Sequence, residues 1–542
     1  MSASTIALAT FASVVLYKAL RTGFRERGLP PGPPTIPVLG NILQTPTKDV
    51  FQRFTEWARD FGEIYSLKVG PSTIVVLSSP AALRDVLDKQ SAYTSDRPPH
   101  PIADVSVMIS NDHQIQSDAV VDADRWRGLR KVAQTLLAST VVKHYLPLQE
   151  AESTQLVFDL LNTPDKFFDH IQRFSNSIVT AIIFGKRVPR LETPSAVAIT
   201  EITTLWDHFL GPGATPPVDA FPFLLWIPDF LAPWMQQAKK IRKMQRALYL
   251  QFFDECQQRV DANDGEFFMA NVIRDKANHG LGREQMSLLA GSMYEAGSET
   301  SALFLQALVI LLATHPEVQK KAQAELDSVV GQGRLPIHED GEKLPYVRAI
   351  VQETHRLKTL VPMSLPHRAI RDVHYKGYLI PEGATIFGNL CACQTCIYHL
   401  FEDPETFNPD RYVLTEHGTK PGVDDSDFKA SFVFGTGRRI CPGMHLAPTT
   451  AILATMKLLW AFEFRPAVDP ATGKEIPLDV HAHHGGIAAG PPRYKCDIRC
   501  RSPARAEKIK NAFKVDATET LASYEYNLDE NDREWLASVR AN

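Results

Sequence analysis

FGTGRRICPG, residues 434–443, sets Cys441 in a glycine-rich loop beside Arg438 and Arg439, just before an apolar helical pattern. A lone cysteine is most often a buried and inert side chain. Neighbouring positive charge and a helix N-terminus instead lower the pKa of a thiol and favour the thiolate. The glycines also let the backbone approach a flat ligand closely. The segment therefore predicts a reactive thiolate that faces such a ligand.

The same run resembles the haem-ligand signature of the cytochrome P450 family, Phe-x-x-Gly-x-Arg-x-Cys-x-Gly. Its fixed positions fall on Phe434, Gly437, Arg439, Cys441 and Gly443. The resemblance implies that the cysteine is the axial ligand of the iron of haem b, with Phe434 and Arg439 beside the cofactor. Thiolate ligation donates electron density that favours cleavage of the O–O bond. The alternative, a chance glycine-rich turn around a buried cysteine, leaves the five matches unexplained.

Composition sets outer limits on the function. The chain has 542 residues, of which 44% are hydrophobic and 22% charged, as in an ordinary globular protein with a large core. A net charge of −4 gives no support for a nucleic-acid partner. Seven cysteines, an odd number in a long chain, argue against a disulfide framework and favour a reducing compartment.

The N-terminus carries a membrane signal. Residues 2–20 contain no acidic residue and only one charged residue, Lys18, and we expect them to form a single transmembrane anchor. They are at the short end of the roughly 20 residues that a spanning helix needs. A cleaved signal peptide would carry its basic region first, whereas here the positive charge follows, which keeps the body on the cytoplasmic side. A peripheral or cleaved helix is the alternative. The basic residues that follow are Arg21, Arg25 and Arg27.

Three further regions follow the anchor. Residues 21–37 are basic and proline-rich and predict a stiff hinge. Residues 38–500 predict one mainly α body with small β-sheets, which is the cytochrome P450 fold if the resemblance holds. Residues 501–542 are polar with an acidic end, so we expect an appended and partly disordered extension.

Within the body, the hydrophobic pattern predicts short strands at 64–77 and helices at 151–184 and 238–256. The longest apolar helical run is 284–314. The segment 210–234 is rich in proline and aromatic residues and reads as a loop, either part of the core or a substrate entrance that dips into a membrane.

The acid–alcohol pair Glu299-Thr300 lies in the middle of the long helical run. Gly297 costs ~1 kcal/mol there relative to alanine, and the Thr300 hydroxyl can bond back to the carbonyl of Ala296 and bend the helix. The notch could hold dioxygen and water. A kinked buried helix with Glu299 reaching solvent is the alternative. The resemblance to the acid–alcohol pair of P450s implies that Glu299 and Thr300 are catalytic and relay protons from bulk water.

Glu353 and Arg356 lie three residues apart on one helical face. By itself this spacing is an ordinary surface ion pair. The resemblance to the P450 Glu-x-x-Arg motif, together with Pro409-Asp410-Arg411 as its Pro-x-Arg element, implies a buried network of Glu353, Arg356 and Arg411. Its role would be structural, in fixing the cysteine loop, and a bidentate guanidinium suits that task better than lysine.

The resemblance also assigns cofactor and substrate contacts. Trp126 and Arg130 match the family's Trp-x-x-x-Arg and, with His367 and Arg439, are implied to hold the haem propionates, which need cationic or N–H partners inside a protein. A tryptophan and an arginine four apart can also be a simple packing pair. The implied substrate walls include the loop 96–112, and their apolar character suggests a lipophilic substrate. The substrate-pocket candidates are Met293, Ala296, Val361, Met363 and Ile487.

One segment departs from the family pattern. Where related sequences often carry Trp-Ala-x-x-x-Asp-Pro, this chain has Cys391, Cys393 and Cys396, followed by His399. The spacing also suits a structural zinc site, and buried thiols are the alternative. The histidines at 481, 483 and 484 predict a solvated loop.

The resemblance to fungal microsomal P450s of specialised metabolism implies a haem-thiolate monooxygenase of the endoplasmic reticulum membrane. It would insert one oxygen atom from O2 into a lipophilic terpenoid, polyketide or aromatic compound. Electrons would come from NADPH through a separate P450 reductase, with cytochrome b5 as a further partner, because the chain has no G-x-G-x-x-G fingerprint. The alternatives are a haem-thiolate isomerase or dehydratase without a reductase, a non-catalytic haem-binding protein, or a membrane scaffold without haem.

Overall fold

The computed structural model describes residues 21–99, 123–210, 214–218, 221–395, 400–426, 428, 432–484 and 486–541, with a few scattered positions before residue 21. The expected anchor, residues 2–20, falls almost entirely outside these described residues.

The described chain is mostly helical. Its α-helices are α1 Val50–Phe61, α2 Pro80–Leu83, α3 Ser91–Thr94, α4 Ala123–Leu136, α5 Ser139–Val142, α6 Leu146–Asn162, α7 Phe167–Phe184, α8 Pro194–Leu210, α9 Pro233–Asp261, α10 Phe268–Arg274, α11 Lys276–His279, α12 Arg283–Thr314, α13 Pro316–Val329, α14 Pro345–Leu357, α15 Leu390–Thr395, α16 Arg411–Leu414, α17 Ala447–Ala461, α18 Pro503–Ala512, α19 Thr518–Ala522 and α20 Glu530–Ala541. The strands are β1 Ile64–Val69, β2 Ser72–Leu77, β3 His367–Arg368, β4 Val373–Tyr375, β5 Tyr378–Ile380, β6 Thr385–Gly388, β7 Phe462–Pro466 and β8 Cys496–Cys500.

The strands form small sheets, which confirms the predicted class of a mainly α protein with little β-structure. The largest sheet has the order β1-β2-β6-β3, with β1 and β2 antiparallel and β2 and β6 parallel. β4 pairs with β5, and β7 pairs with β8. The four-stranded sheet places His367, the first residue of β3, opposite Ile386 of β6.

The core is built around α12. It packs along α7 and α9, and α17 packs against α6 on the other side of the main apolar cluster. Pro316 follows α12 and begins α13, because proline fits the first turn of a helix but cannot continue one. Among the described residues, α12 is the one helix long and apolar enough to cross a membrane, and most of it is buried inside the protein.

The segment 210–234 is loop-like with two short 3₁₀ turns, Pro222–Trp226 and Asp229–Leu231. Four of its large apolar side chains are exposed, whereas Val218 lies in the core and Leu224, Leu225 and Trp234 pack against it, so each alternative holds for part of the segment. The exposed residues are Phe223, Trp226, Phe230 and Leu231.

The C-terminal extension differs from the expected disordered tail. Helices α18 and α19, with the π-helical turn Phe513–Ala517 between them, pack against α6. Ile509, Phe513, Ala517 and Leu521 recur every four residues, and all are buried. This spacing lines one face of a helix. A polar average composition therefore concealed one continuous apolar stripe.

Phe513 anchors this stripe, because its ring stacks on Phe158 of α6 with centroids 4.2 Å apart. We expect Phe513→Leu to lower the free energy of unfolding by about 1 kcal/mol, since an aromatic pair contributes roughly 0.5–1.5 kcal/mol beyond its buried area. Chemical denaturation measures the change. Val515→Ala in the same turn is the control, because Val515 is 66% exposed. Equal effects of the two substitutions would contradict a packed extension.

Candidate active site

The cysteine loop lies between a 3₁₀ turn, Phe432–Phe434, and the start of α17. The backbone N–H of Cys441 donates to the carbonyl of Phe434 at 2.7 Å, which closes the loop. The backbone N–H of Gly443 hydrogen-bonds the thiol of Cys441. Main-chain bonds therefore fix both the backbone of Cys441 and its thiol.

Gly437 fixes how the loop packs on the rest of the protein. It has φ +65°, and a Cβ there would lie 2.2 Å from the backbone carbonyl of Leu87. Only glycine combines this left-handed conformation with such a close approach. The glycine-rich run thus serves packing here as well as access to a ligand.

The electrostatics of Cys441 differ from the expectation. Burial raises the pKa of the thiol, while the Gly443 N–H and the Arg130 guanidinium act in the opposite direction. Arg438 is exposed, and Arg439 turns away to the carbonyl of Ser95. The flanking arginines are therefore not what favours the thiolate. A desolvated sulfur of this kind becomes a thiolate when a metal cation binds it.

Arg130 joins α4 to the cysteine loop. Its guanidinium donates to the carbonyl of Ile440, one residue before the cysteine. Burial lowers the pKa of Arg130, and the nearby Cys441 raises it. Trp126 belongs to the same helix, and its side chain lies outside the described residues. Of the predicted Trp-x-x-x-Arg pair, the structure thus places the arginine at the cysteine loop.

Other cationic groups converge near this loop. Arg439 donates through Nε to the carbonyl of Ser95 at 2.8 Å, and Nδ1 of His367 lies 2.8 Å from the carbonyl of Thr94. Arg97, which the sequence analysis did not single out, is also buried. In the sequence, Arg97 lies in a proline-containing loop and looks like an ordinary surface arginine. Only the packing of the fold shows that it is buried near the cysteine loop.

Arg97 and Arg439 repel one another, and their charges together with burial keep the imidazole of His367 neutral. Burial and then Arg439 lower the pKa of Arg97 to about 9, and burial with Arg97 lowers the pKa of His367 well below its usual value. Burial raises the pKa of the neighbouring Asp96 to about 6. Positive charge accumulated in this way needs anionic partners. Two carboxylates of a ligand, such as haem propionates, fit this cluster.

The middle of α12 has the predicted bond from the Thr300 hydroxyl to the helix backbone. Thr300 Oγ1 donates to the carbonyl of Ala296 at 2.8 Å, and Ser301 Oγ donates to that of Gly297 at 3.0 Å. Ala296 is exposed and Gly297 and Thr300 are half-buried, although most of the helix is buried. Open space therefore lies along this side of the central helix.

Two ring contacts connect this helix with the cysteine loop. Phe304, one turn after Thr300, stacks on His355 with centroids 4.3 Å apart, and His355 lies 6.0 Å from Phe434. The central helix and the cysteine loop are thus both packed on His355 of α14. The donor set of this part of the fold fits a flat prosthetic group: a thiol in the loop, a hydroxyl on the open side of α12, and arginines near the loop.

Glu299 is accompanied by two carboxyl groups that the sequence analysis did not single out. Burial, with the charges of Asp207 and Glu295, raises the pKa of Glu299 to about 8. Burial raises the pKa of Glu295 to about 7, opposed by hydrogen bonds from Tyr249 and Gln245. Glu299 therefore holds a proton at neutral pH, as a proton donor requires.

The predicted Glu353 network is present and buried. Arg356 donates to Glu353 through Nε at 2.6 Å and Nη2 at 2.8 Å, and Arg411 Nε donates to the same carboxylate at 3.1 Å. The remaining guanidinium hydrogens reach the carbonyls of Pro404 and Glu402. The network therefore ties α14 to the chain segment that precedes the cysteine loop.

The substrate-pocket candidates fall in different environments. Ala296 and Met293 lie on the open side of α12, and Ile487 and Val361 are half-buried. Met363 instead packs in a small apolar cluster with α1 and the largest sheet, so its place as a pocket wall is not supported. Most of the loop 96–112 lies outside the described residues.

The cysteine cluster gives no metal site within the described part of the chain, where no group of three or more potential ligands comes together. Cys393 is buried and Cys391 half-buried at the start of α15. Cys396 and His399 lie outside the described residues.

Comparison with known proteins places this site in a family. A family model for cytochrome P450 matches residues 30–495. A cytochrome P450 monooxygenase of Armillaria gallica is 38% identical over 517 residues, covering 94% of this chain and 96% of that protein. The monooxygenase yanC of Aspergillus niger is 36% identical over 530 residues, covering 94% and 96%. The monooxygenase patI of Penicillium expansum is 33% identical over 525 residues, covering 95% and 97%.

Proposed function

Because the chain belongs to the cytochrome P450 family, whose members are oxidoreductases that bind haem b through a cysteine thiolate, we propose that it is a reductase-dependent monooxygenase. It inserts one oxygen atom from O2 into a lipophilic small molecule, with electrons from NADPH. The observation that supports this most is the pairing of the Cys441 loop with the Glu299-Thr300 notch of α12.

Bound haem supplies the activation of dioxygen and the oxidising power. The chain's own residues would hold it: Cys441 Sγ would ligate its iron, and side chains near the cysteine loop would meet its propionates. These side chains are Arg97, Arg130 and Arg439, together with His367, whose imidazole an adjacent anion would help to protonate.

Glu299 and Thr300 move protons. The Glu299 carboxyl stays protonated up to about pH 8, so it can supply a proton at neutral pH. Thr300 Oγ1 now donates to Ala296 and can turn its proton towards the open side of the helix. An isomerase or dehydratase does not need this proton relay, and a non-catalytic haem protein does not need it either.

Thr300→Ala is expected to lower product formation per NADPH about a hundredfold, since a positioned proton donor contributes roughly 10²–10⁴-fold. Hydrogen peroxide should take up the electrons, while haem content stays unchanged. The assay uses the haem-loaded chain, a P450 reductase, NADPH and a panel of terpenoid, polyketide and aromatic compounds. Thr300→Ser keeps the hydroxyl and is the control. Equal coupling in the alanine variant and the wild type would refute the relay.

The membrane location rests on the exposed apolar loop. Trp226 is 85% exposed and Phe230 76%, on the loop between α8 and α9. Clustered exposed aromatic and aliphatic side chains suit a membrane interface. Together with the N-terminal anchor expected from the sequence, this loop would dip into the endoplasmic reticulum membrane, with the body facing the cytoplasm.

The reductase partner rests on exposed positive charge beside the cysteine loop. Arg127 and Lys131 on α4 are exposed, and so is Arg438 in the loop itself. Because Arg130 docks α4 on the loop, all three belong to segments that meet at the cysteine loop. A basic face of this kind suits an acidic flavoprotein, and cytochrome b5 is a second partner of the same type. Fungal relatives support a role in specialised metabolism.

A further inference from the structure

Asp207, near the end of α8, lies where three parts of the chain meet. It is buried, and its Oδ1 accepts two backbone N–H groups, from Ile487 at 2.8 Å and from Ala488 at 3.2 Å. Gly486 stands against the other oxygen, because a Cβ there would lie 1.8 Å from Oδ2. With φ +150°, Gly486 also has a conformation that favours glycine. The turn at 486–488 is therefore held tightly against this one carboxylate.

Helix α8 also packs against α12, and the charge of Asp207 is one of the causes that raise the pKa of Glu299. Burial raises the pKa of Asp207 itself, and the two N–H donors, His484 and His208 oppose that shift. One side chain thus holds the turn that carries Ile487, a predicted pocket residue, and lies on the helix that packs against α12, which carries Glu299.

Within the described part of the chain, the charged groups that act on the pKa of Glu299 are Asp207 and Glu295. On its own helix it faces Glu295, whose carboxyl accepts hydrogen bonds from Tyr249 and Gln245 of α9. From α7, the nearby stretch of α12 meets uncharged side chains, Ser175 on the carbonyl of Ser298 and Val179 against Gly297. Beyond Glu295, the neighbouring element that brings a negative charge to Glu299 is therefore α8, through Asp207.

We propose that Asp207 is a positioning residue with two separable roles: its Oδ1 anchors the turn 486–488 on α8, and its carboxylate is the negative neighbour of Glu299 where α8 packs on α12. The use of the Glu299 proton in oxygen chemistry rests on the proposed function. The two roles themselves rest on the hydrogen bonds, the close contact of Gly486 and the buried group of carboxyls.

The geometry allows the two roles to be separated. Both backbone N–H groups bond to the same atom, Oδ1. Asp207→Asn keeps an oxygen at that place and removes only the charge, whereas Asp207→Ala removes both. The asparagine variant therefore isolates the effect on Glu299, and it retains the anchoring contacts that the fold needs.

The experiment compares the haem-loaded full chain with its D207N and D207A variants by two methods. Hydrogen exchange of the peptide that spans 486–489 reports the anchor. Infrared titration of the protonated carboxyl band, assigned with Glu299→Gln, reports the proton on Glu299. We expect the 486–489 amides of D207N to exchange as in the wild type. The protonated Glu299 band should disappear about one pH unit lower than in the wild type, because a nearby negative charge has been removed. In D207A the titration of Glu299 should shift in the same direction. The backbone amides of 487 and 488 should exchange about tenfold faster than in the wild type, or more.

Each result decides one role. An unchanged Glu299 titration in D207N would overturn the electrostatic role, and unchanged exchange in D207A would overturn the anchor. If D207A does not fold, the wild-type chain decides: exchange of the 487 and 488 amides as fast as unprotected amides would overturn the anchor, and strong protection of both supports it. Neither method uses turnover, so a chain that binds haem but oxidises no compound would contradict the proposed function and leave the role of Asp207 standing.

Discussion

Cys441→Ser is expected to reduce product formation to background and to remove the thiolate-type band of the reduced, carbon-monoxide-bound protein. A serine hydroxyl is a much poorer ligand than a thiolate and does not donate electron density in the same way. The loop itself should survive, because the bond from residue 441 to Phe434 uses the backbone N–H. The chain should therefore remain folded while its haem is bound weakly or through another ligand.

A cysteine outside the site provides the control. Cys500, in β8, is half-buried, and its thiol donates to the carbonyl of Ser502. Cys500→Ser can keep that hydrogen bond and should retain both the spectral band and the activity. A thiolate-type band that persists in the Cys441 variant would assign the iron ligand to another side chain.

Some of these features follow from the sequence because the chemistry is local. The bond from Thr300 to Ala296 spans one helical turn, and the pair Glu353 and Arg356 spans three residues, so spacing alone predicts both contacts. The small sheet at 64–77 likewise follows from β-branched residues around a glycine turn.

The remaining features depend on packing between distant segments. Arg97 and Asp207 look like ordinary loop and helix charges, and only the fold shows that they are buried beside Arg439 and Glu299. The electrostatics of Cys441 depend on Arg130, which is over three hundred residues away in sequence. Flanking residues could not reveal it.

The C-terminal extension shows a different limit. Its average composition is polar, and composition is what predicts disorder. The four-residue repeat from Ile509 to Leu521 was the informative signal, because it fits a helix with one buried face. Periodicity was thus a better guide than composition in this segment.

Glu353→Gln is expected to lower the free energy of unfolding by about 3–5 kcal/mol, because it leaves the buried Arg356 and Arg411 without their anion. Haem content should fall as well, since the network holds the segment ahead of the cysteine loop. Denaturant unfolding and the ratio of haem to protein measure the two effects.

Arg53 and Glu56 form the matched control: the same spacing on α1, with side chains 44% and 55% exposed. Glu56→Gln should change stability by less than about 1 kcal/mol, because water already screens an exposed pair. Similar losses in the two variants would mean that burial adds nothing to the Glu353 network, and the network would then have no special part in holding the cysteine loop.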